Sequence, residues 1–226
     1  MWQIAAVAYG KPIVFPTPDA AVRELFGELK SGLFWRSFGY TYLRSIVGFL
    51  CAAAAAVLLA FAGKACAPIK SILAPVVGIL RSLPTMSVIL LLVLWTTGAS
   101  APVIVSALVI FPVLYSGMDA AVSSVPRELE ETARLYAPNR AYTFFKVHFP
   151  LALPPFLTVA GGAASLSIKL TVAAEVLAQT RDSIGMMMQQ TRIYFEVGRL
   201  MALTVAVVVA ALVTELAVYL VRRIFE

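Results

Sequence analysis

Three charged residues with the potential to do chemistry interrupt long apolar stretches of this sequence: Arg81, Lys169 and Glu175. If those stretches cross a membrane, each charge is expected to face a cavity or a partner, because exposing a charge to lipid costs several kcal/mol. Arg81, closely followed by Pro84, either helps an anion to pass or anchors a broken helix near the membrane interface. Lys169 and Glu175 lie about 240° apart around a helix, so each must pair elsewhere or reach water. These four residues are the predicted translocation path.

Signatures of an enzyme are weak in this chain. Residues 98–101 have the Gly-x-Ser-x form used by intramembrane serine proteases, but the single histidine, His148, is expected on the other side of the membrane. A serine and its base must lie within hydrogen-bond reach, which excludes that chemistry. The sequence has no zinc-protease motif and no phosphate-binding loop, and the methionines at 186–188 have no histidine or cysteine beside them. We therefore predict no catalytic residue, no metal site and no cofactor bound by this chain.

The composition indicates the solvent in which the chain folds. Of its 226 residues, 61% are hydrophobic and 13% are charged. Soluble domains are roughly 45–50% apolar and about 25% charged, so a typical cytosolic enzyme and a disordered chain are both excluded. The formal net charge of +6 is attributed to basic residues at the ends of membrane spans rather than to nucleic-acid binding. The sequence predicts an all-α integral membrane protein.

Uncharged runs locate the membrane spans. As one helix, the uncharged stretch 82–118 would extend about 55 Å, whereas the bilayer core is roughly 30 Å thick. It must therefore turn, and residues 96–102 are rich in helix breakers. We predict five core spans, at 45–63, 71–95, 101–118, 149–175 and 200–221.

The N-terminal segment, residues 1–36, is predicted to lie outside the five core spans. Residues 1–15 would reach only about 22 Å as a helix, which is short for a full span. They are expected to form half a span, an interfacial segment or a full helix with an unusual start. Pro16 and Pro18 end that stretch, and Asp19 is the expected N-cap of a short amphipathic helix over 20–29. Its apolar face would lie on the membrane surface. The members of that face are Val22, Leu25, Phe26 and Leu29.

A long polar loop, residues 119–148, joins the spans at 101–118 and 149–175. Pro126 stands at a first helical position, acids follow in the first turn, Arg134 comes later and Pro138 stops the helix. A second short helix is predicted over 141–147. Most connections between helices are about 2–8 residues long. An ordered helical loop of this size indicates a docking surface.

The loop resembles the E-A-A motif of the membrane subunits of bacterial ABC importers. That motif has the form E-A-A, three residues, G, nine residues and I-x-L-P. The matching positions here are Glu131-Thr132-Ala133, then Ala137, then Val147-His148-Phe149-Pro150. The spacing matches throughout, and the departures are Thr132 for alanine and Ala137 for glycine. Alanine tolerates a left-handed turn poorly, so the local backbone is expected to differ from that of the family.

Other segments are similar to the nitrate, sulfonate and taurine branch of these permeases, and they occur in the same order. They are Phe15-Pro16-Thr17-Pro18, Arg44 and Gly48-Phe49, Arg81 with Pro84 running to Leu94-Trp95 and Gly98, Phe111-Pro112, Ala174-Glu175, and a loop containing Gly185. The resemblance covers about residues 13–222, and relative to the branch the first span is expected to be truncated.

The resemblance implies a type I ABC importer transmembrane domain, a single permease domain over 1–226. Its expected partners are a second permease subunit (a homodimer), two ATPase subunits that carry ATP and Mg, an extracytoplasmic binding protein and the lipid bilayer. It implies a multi-pass protein of the bacterial plasma membrane, with the loop 119–148 and the C-terminus in the cytoplasm. The residues expected to contact the ATPase are Glu128, Glu131, Thr132, Ala133, Arg134, Tyr136, Ala137 and Pro150.

The implied function is ATP-driven import of a small solute by alternating access. The cargo would be a sulfonate-, nitrate- or taurine-like anion or a similar nutrient, and the alternative cargo is a vitamin precursor such as a thiamine pyrimidine. A secondary transporter or channel would also explain the spans and buried charges, although not the helical loop with the family spacing. Copurification with an ATPase discriminates between these classes.

Overall fold

The computed structural model of the chain describes Gln3, Ala6 and residues 16–126, 128–129 and 139–225. All regular secondary structure in these ranges is helical. The helices are α1 (Pro18–Leu29), α2 (Gly32–Ala65), α3 (Ala67–Ser82), α4 (Thr85–Trp95), α5 (Ala101–Ser123), α6 (Arg140–Thr143), α7 (Phe149–Ala178), α8 (Ile184–Ile193) and α9 (Val197–Phe225). A π-helical turn, Phe144–His148, joins α6 to α7.

Four of the described helical segments are long and apolar enough to cross a membrane: Gly32–Ala65, Ala101–Ser123, Phe144–Ala178 and Val197–Ile224. Helices α3 and α4 pass the same test only as a pair, and they are bent by 96° at the break between them. The predicted span at 71–95 is therefore a bent pair rather than one straight helix. The cause is Pro84, because a residue before proline avoids the helical region, and Leu83 has an extended ψ of 129°.

The start of α1 corrects one sequence prediction. The N-cap is Thr17 rather than Asp19, and its hydroxyl accepts a hydrogen bond from the backbone amide of Ala20 at 3.4 Å. Asp19 lies in the first turn instead, where its negative charge favours the helix dipole. The N-terminal stretch 1–15, predicted to be short for a full span, lies outside the described residues apart from Gln3 and Ala6.

The expected turn at 96–102 is confirmed between α4 and α5. Helix α4 ends at Trp95 and α5 begins at Ala101. Between them, the hydroxyls of Thr97 and Ser100 are 2.8 Å apart, and the amides of Ser100 and Ala101 both donate to the carbonyl of Thr97. The bonds satisfy backbone groups that a break inside a membrane domain would otherwise leave without partners.

The chain divides into two compact units. The first comprises Met1–Gly48, Met86–Ser106 and Ser167–Val213. Its core uses one face of each helix, with apolar residues at four-residue spacing on α7 and on α9. The core residues are Phe34, Ile168, Val172, Ile184, Met187, Leu203, Val207 and Ala211.

The second unit comprises Phe49–Thr85, Ala107–Leu166 and Thr214–Glu226. It contains the π-helical turn, where the sequence predicts a short helix over 141–147. The ring of Phe144 in that turn lies 4.4 Å from the ring of Phe61 on α2, centroid to centroid, at an edge-to-face angle of 66°. Lys70 and Asp119 form an ion pair of 2.7 Å between α3 and α5.

Gly48 allows α2 and α5 to approach closely, and this leads to a first prediction. A Cβ atom at Gly48 would lie 2.0 Å from Oγ of Ser106 and 3.0 Å from the carbonyl oxygen of Val103. Gly48→Ala is therefore expected to lower the free energy of unfolding by about 1–3 kcal/mol, as overpacking does. Thermal unfolding of the purified protein in lipid discs measures the loss. Gly39→Ala on the same helix is the matched control, because nothing lies within 4 Å of the added atom. Equal stability of the two variants would contradict the prediction.

Candidate functional site

The connection between α7 and α8, residues 179–183, is a tightly hydrogen-bonded turn. Gln179 has a left-handed backbone with φ of 47°, and the amide of Thr180 donates to the carbonyl of Glu175 at 3.2 Å, which is a common way for a helix to end. Ser183 begins the next helix by accepting a hydrogen bond from the amide of Met186 at 3.0 Å. The hydroxyl of Thr180 donates to the carbonyl of Gly98 at 2.6 Å.

Glu175 is the buried centre of this region. Its side chain is 0% exposed, and one carboxylate oxygen accepts from Nη1 of Arg44 at 2.9 Å. The other oxygen accepts from the hydroxyl of Thr41 at 2.8 Å and from the backbone amide of Gly185 at 3.3 Å. Thr41 and Arg44 lie three residues apart on α2, so both side chains project from the same face of that helix.

Thr41 also connects the centre to the start of α8. Its hydroxyl donates to Glu175 and accepts from the amide of Ile184 at 3.0 Å. This hydroxyl therefore both donates and accepts a hydrogen bond, as expected of a buried polar group. The carboxylate in turn has three donors from α2 and α8, so the buried charge is satisfied inside the protein.

Gly185 is required by the closeness of α8 to α7. A Cβ atom at this position would lie 2.4 Å from Cβ of Glu175 and 2.6 Å from the backbone nitrogen of Val176. The obstruction is partly backbone, which a side-chain rotation does not relieve. Any larger residue at 185 would push the amide of this position away from the carboxylate.

Arg44 holds the turn as well as the carboxylate. Its guanidinium donates to the carbonyl oxygens of Asp182 at 3.4 Å and Arg181 at 3.3 Å. Asp182 has a left-handed φ of 49°, and its carboxylate pairs with Arg36 at 3.0 Å. That outer ion pair is solvent-accessible and contributes little to stability. The buried ion pair of Arg44 with Glu175 places the Arg44 guanidinium beside an open cavity.

This cavity, of about 450 Å³, opens beside the turn. The charged residues that line it are Arg44, Arg181 and Asp182, and Arg44 is also paired with the buried Glu175. The guanidinium carbon of Arg44 is 5.7 Å from the centre of the Tyr40 ring, which is a cation–π distance. The remaining lining residues are Gly98, Ala99, Gln179 and Thr180. The arrangement suits attraction of an anion; it has no nucleophile–base pair for covalent chemistry.

The predicted translocation-path residues fall into different parts of the structure. Glu175 is at the buried centre, whereas Lys169 on the same helix is exposed and is not among its partners. Arg81 and Pro84, both exposed, belong to the second unit. Arg81 donates to the carbonyl of Pro112 at 3.3 Å. The role of these four residues in transport stays a prediction.

The predicted ATPase contacts lie mostly outside the described residues. This is the case for Glu131, Thr132, Ala133, Arg134, Tyr136 and Ala137. Glu128 is helical and exposed, and Pro150 is exposed in the first turn of α7, where proline is well tolerated. The docking role of this set stays a prediction.

Sequence reasoning did not identify Thr41, Arg44 and Gly185 as partners of Glu175. Arg44 was expected only as part of a family pattern, and Gly185 only as a member of a loop. A signal was present, because Arg44 is the last charge before one long uncharged run and Glu175 is the acid that follows another. Opposite charges at the ends of two membrane spans are expected to pair.

Comparison with known proteins gives a family model and close structural likeness. The model described as "Binding-protein-dependent transport system inner membrane component" matches residues 54–226. The chain is 28% identical over 227 residues to the riboflavin transport system permease protein RibX of Chloroflexus aurantiacus, covering 100% of this chain and 83% of that protein. It is 24% identical over 230 residues to the taurine transport system permease protein TauC of Escherichia coli, covering 98% and 82%. Among solved structures, an inward-facing MetNI methionine ABC transporter superposes with a TM-score of 0.71 at 18% identity, covering 85% of this chain and 94% of that chain.

The pairing of Glu175 with Arg44 leads to a second prediction. Arg44→Leu leaves a buried carboxylate without its cation and is expected to cost about 3–5 kcal/mol of unfolding free energy. The double variant Arg44→Leu/Glu175→Leu is expected to lose much less than the sum of the two single variants, because neither charge is then left alone. Chemical denaturation in detergent measures the cycle, with Lys169→Gln on the same helix as a control that changes little. Additive losses would show that the two residues are not coupled.

Proposed function

The chain belongs to the family of inner membrane components of binding-protein-dependent transport systems, and on that premise we propose that it forms, with a second copy of itself, the substrate pathway of an ATP-driven importer. It is a multi-pass membrane permease with the fold of a type I ABC importer transmembrane domain. The single observation that carries the proposal is the family match over residues 54–226, since this stretch contains the whole loop 119–148. Permease subunits of this family are not themselves enzymes.

ATP hydrolysis is assigned to two separate ATPase subunits that bind ATP and Mg. The chain contains no phosphate-binding loop of its own. The loop 119–148 is proposed to lie in the cytoplasm, with the C-terminus on the same side, and to dock on the ATPase through Glu128, Glu131 and Arg134. The exposed position of Glu128 supports this assignment.

Coupling is proposed to pass along α7. The loop leads through α6 and the π-helical turn directly into this helix, which continues without interruption from Phe149 to Ala178. A displacement of the loop by the closing ATPases is proposed to pass along this helix, which contains Pro154 and Pro155, toward Glu175. Such a movement would switch the pathway between outward and inward access.

The proposed cargo is a small organic sulfonate such as taurine, whose sulfonate group is anionic. The cavity beside the turn supports this choice, because Arg44 and Arg181 outnumber its one carboxylate. A cleft lined by one sign of charge raises the local concentration of oppositely charged ligand. Similarity to the taurine permease TauC agrees with it.

A second candidate cargo is a vitamin-like solute. The observation that favours it is the 28% identity to the riboflavin permease RibX, which extends over the full chain. Taurine carries an anionic sulfonate group and riboflavin does not, so the two cargoes make different demands on the arginines of the cavity.

The docking assignment gives a third prediction. Glu131→Lys and Ala133→Leu are each expected to abolish most ATP-driven uptake and to weaken association with the ATPase, because they change the charge or fill the contact at the proposed interface. Uptake into proteoliposomes and copurification of the ATPase measure the two effects, with Gly39→Ala as the control. Full uptake together with normal copurification in both variants would contradict the docking role, and a chain that never copurifies with an ATPase would instead be a channel or secondary transporter.

The cationic cavity gives a fourth prediction. Arg181→Gln is expected to lower taurine uptake by about three- to tenfold, because one of the two guanidinium groups at the cavity is lost. Arg192→Gln is the matched control, since this exposed arginine does not line the cavity. Uptake of labelled taurine and of riboflavin is measured in parallel. Uptake of riboflavin alone, unaffected by Arg181→Gln, would replace the anion with the second candidate.

A further inference from the structure

A second cavity, also of about 450 Å³, lies between α1 and the start of α9. It is lined by Glu24 and Glu28 from α1 and by Glu196, Gly198 and Arg199 from the region where α9 begins. Three carboxylates thus face a single guanidinium, and the cavity carries the charge sign opposite to that of the cavity beside Arg44.

The carboxylate of Glu28 is only partly paired with groups of the protein itself. Its side chain is only 9% exposed, and one carboxylate oxygen pairs with Nε of Arg199. Its other oxygen, Oε2, is buried and has no hydrogen-bond partner among the described residues. Arg199 is shared, because its Nη1 also bonds Glu196 at 3.2 Å. A buried acceptor without a donor is destabilising, and a donor that reaches it removes that cost.

The geometry favours an organic cation over a metal ion. In the part of the chain that the structure describes, no group of three His, Cys, Asp or Glu side chains is close enough to hold a metal. The carboxylates are spread around a cavity far larger than an ion. An ammonium group carries three donors and a guanidinium carries five in a fixed fork, so either can reach several separated acceptors at once.

The surface beside the cavity points to a protein as the source of that cation. Ile193, Tyr194 and Phe195 are consecutive, large and strongly exposed, at 61%, 72% and 77% of their surface. Phe195 has a left-handed φ of 57° and directly precedes Glu196. Exposed aromatic side chains around a charge pocket have the composition of a protein interface.

We propose that the cavity formed by Glu24, Glu28 and Glu196 accepts a lysine or arginine side chain of the extracytoplasmic binding protein. This rests on the proposed function, which puts the loop 119–148 in the cytoplasm. One span later, α7 has crossed the membrane, so α8 and the start of α9 face the compartment in which a binding protein docks. The incoming cation lies between Glu24 and Glu196 at the rim, and it bonds Oε2 of Glu28 once that buried carboxylate turns toward it.

The test uses the complete transporter in proteoliposomes, with its ATPase subunits and its own purified binding protein. The measured quantity is the concentration of binding protein that gives half-maximal stimulation of ATP hydrolysis. The double variant Glu24→Gln/Glu196→Gln is expected to raise it about five- to tenfold and to weaken its salt dependence. ATP hydrolysis without binding protein is expected to stay unchanged. Both glutamates are exposed, so their replacement leaves the fold intact, whereas Glu28→Gln would also disturb the buried pair with Arg199.

The matched control is Asp19→Asn, an acid on the same helix that does not line the cavity. Restoration of the affinity of a Glu196→Lys permease by one Lys→Glu or Arg→Glu replacement in the binding protein would identify the paired residue and support the proposal. An unchanged half-maximal concentration in the double variant would overturn it, as would an effect that follows the phosphatidylethanolamine content of the vesicles rather than the binding protein. If the unmodified transporter is not stimulated by any binding protein, the proposed function itself fails.

Discussion

A carboxylate within an apolar helix must find its hydrogen bonds inside the protein, and Glu175 draws them from two other helices. Arg44 and Thr41 bring α2 to it, and the amide of Gly185 brings α8. The turn at 179–183 then follows, because the same guanidinium also binds two of its carbonyl oxygens. No water reaches this charge to replace a lost donor, so the positions of the donors are tightly constrained. A buried carboxylate without its partners would be costly.

The first unit therefore presents two cavities of opposite charge. The cavity beside Arg44 is cationic, whereas the cavity beside Glu28 is acidic. Each contains a guanidinium–carboxylate pair, and in the second the carboxylate of Glu28 keeps one buried oxygen without a partner among the described residues. One fold can in this way attract an anionic solute and a cationic protein side chain to separate places.

The spans and breaks were predictable because they depend on local properties of the chain. Uncharged runs mark the helices, and the breakers at 96–102 and at Pro84 mark where they stop or bend. The partners of Glu175 were not predictable, since they depend on which helices become neighbours and in what rotation. A single sequence does not show which helices become neighbours or how each is rotated about its axis. Thr17 was missed for a smaller reason, because threonine and aspartate both cap helices and only the backbone decides between them.

The π-helical turn before α7 sets the rotational phase between the loop and the span. A π-turn accommodates one residue more than an α-turn, and each residue of an α-helix advances the side-chain direction by about 100°. The π-turn at Phe144–His148 takes up such an extra residue locally, so the helical segments on either side keep the phase of a continuous helix. Phe144 therefore stays against the ring of Phe61. A further residue inserted into this turn would exceed what one π-turn absorbs, and it would rotate the segment on its N-terminal side by about 100° relative to Phe149.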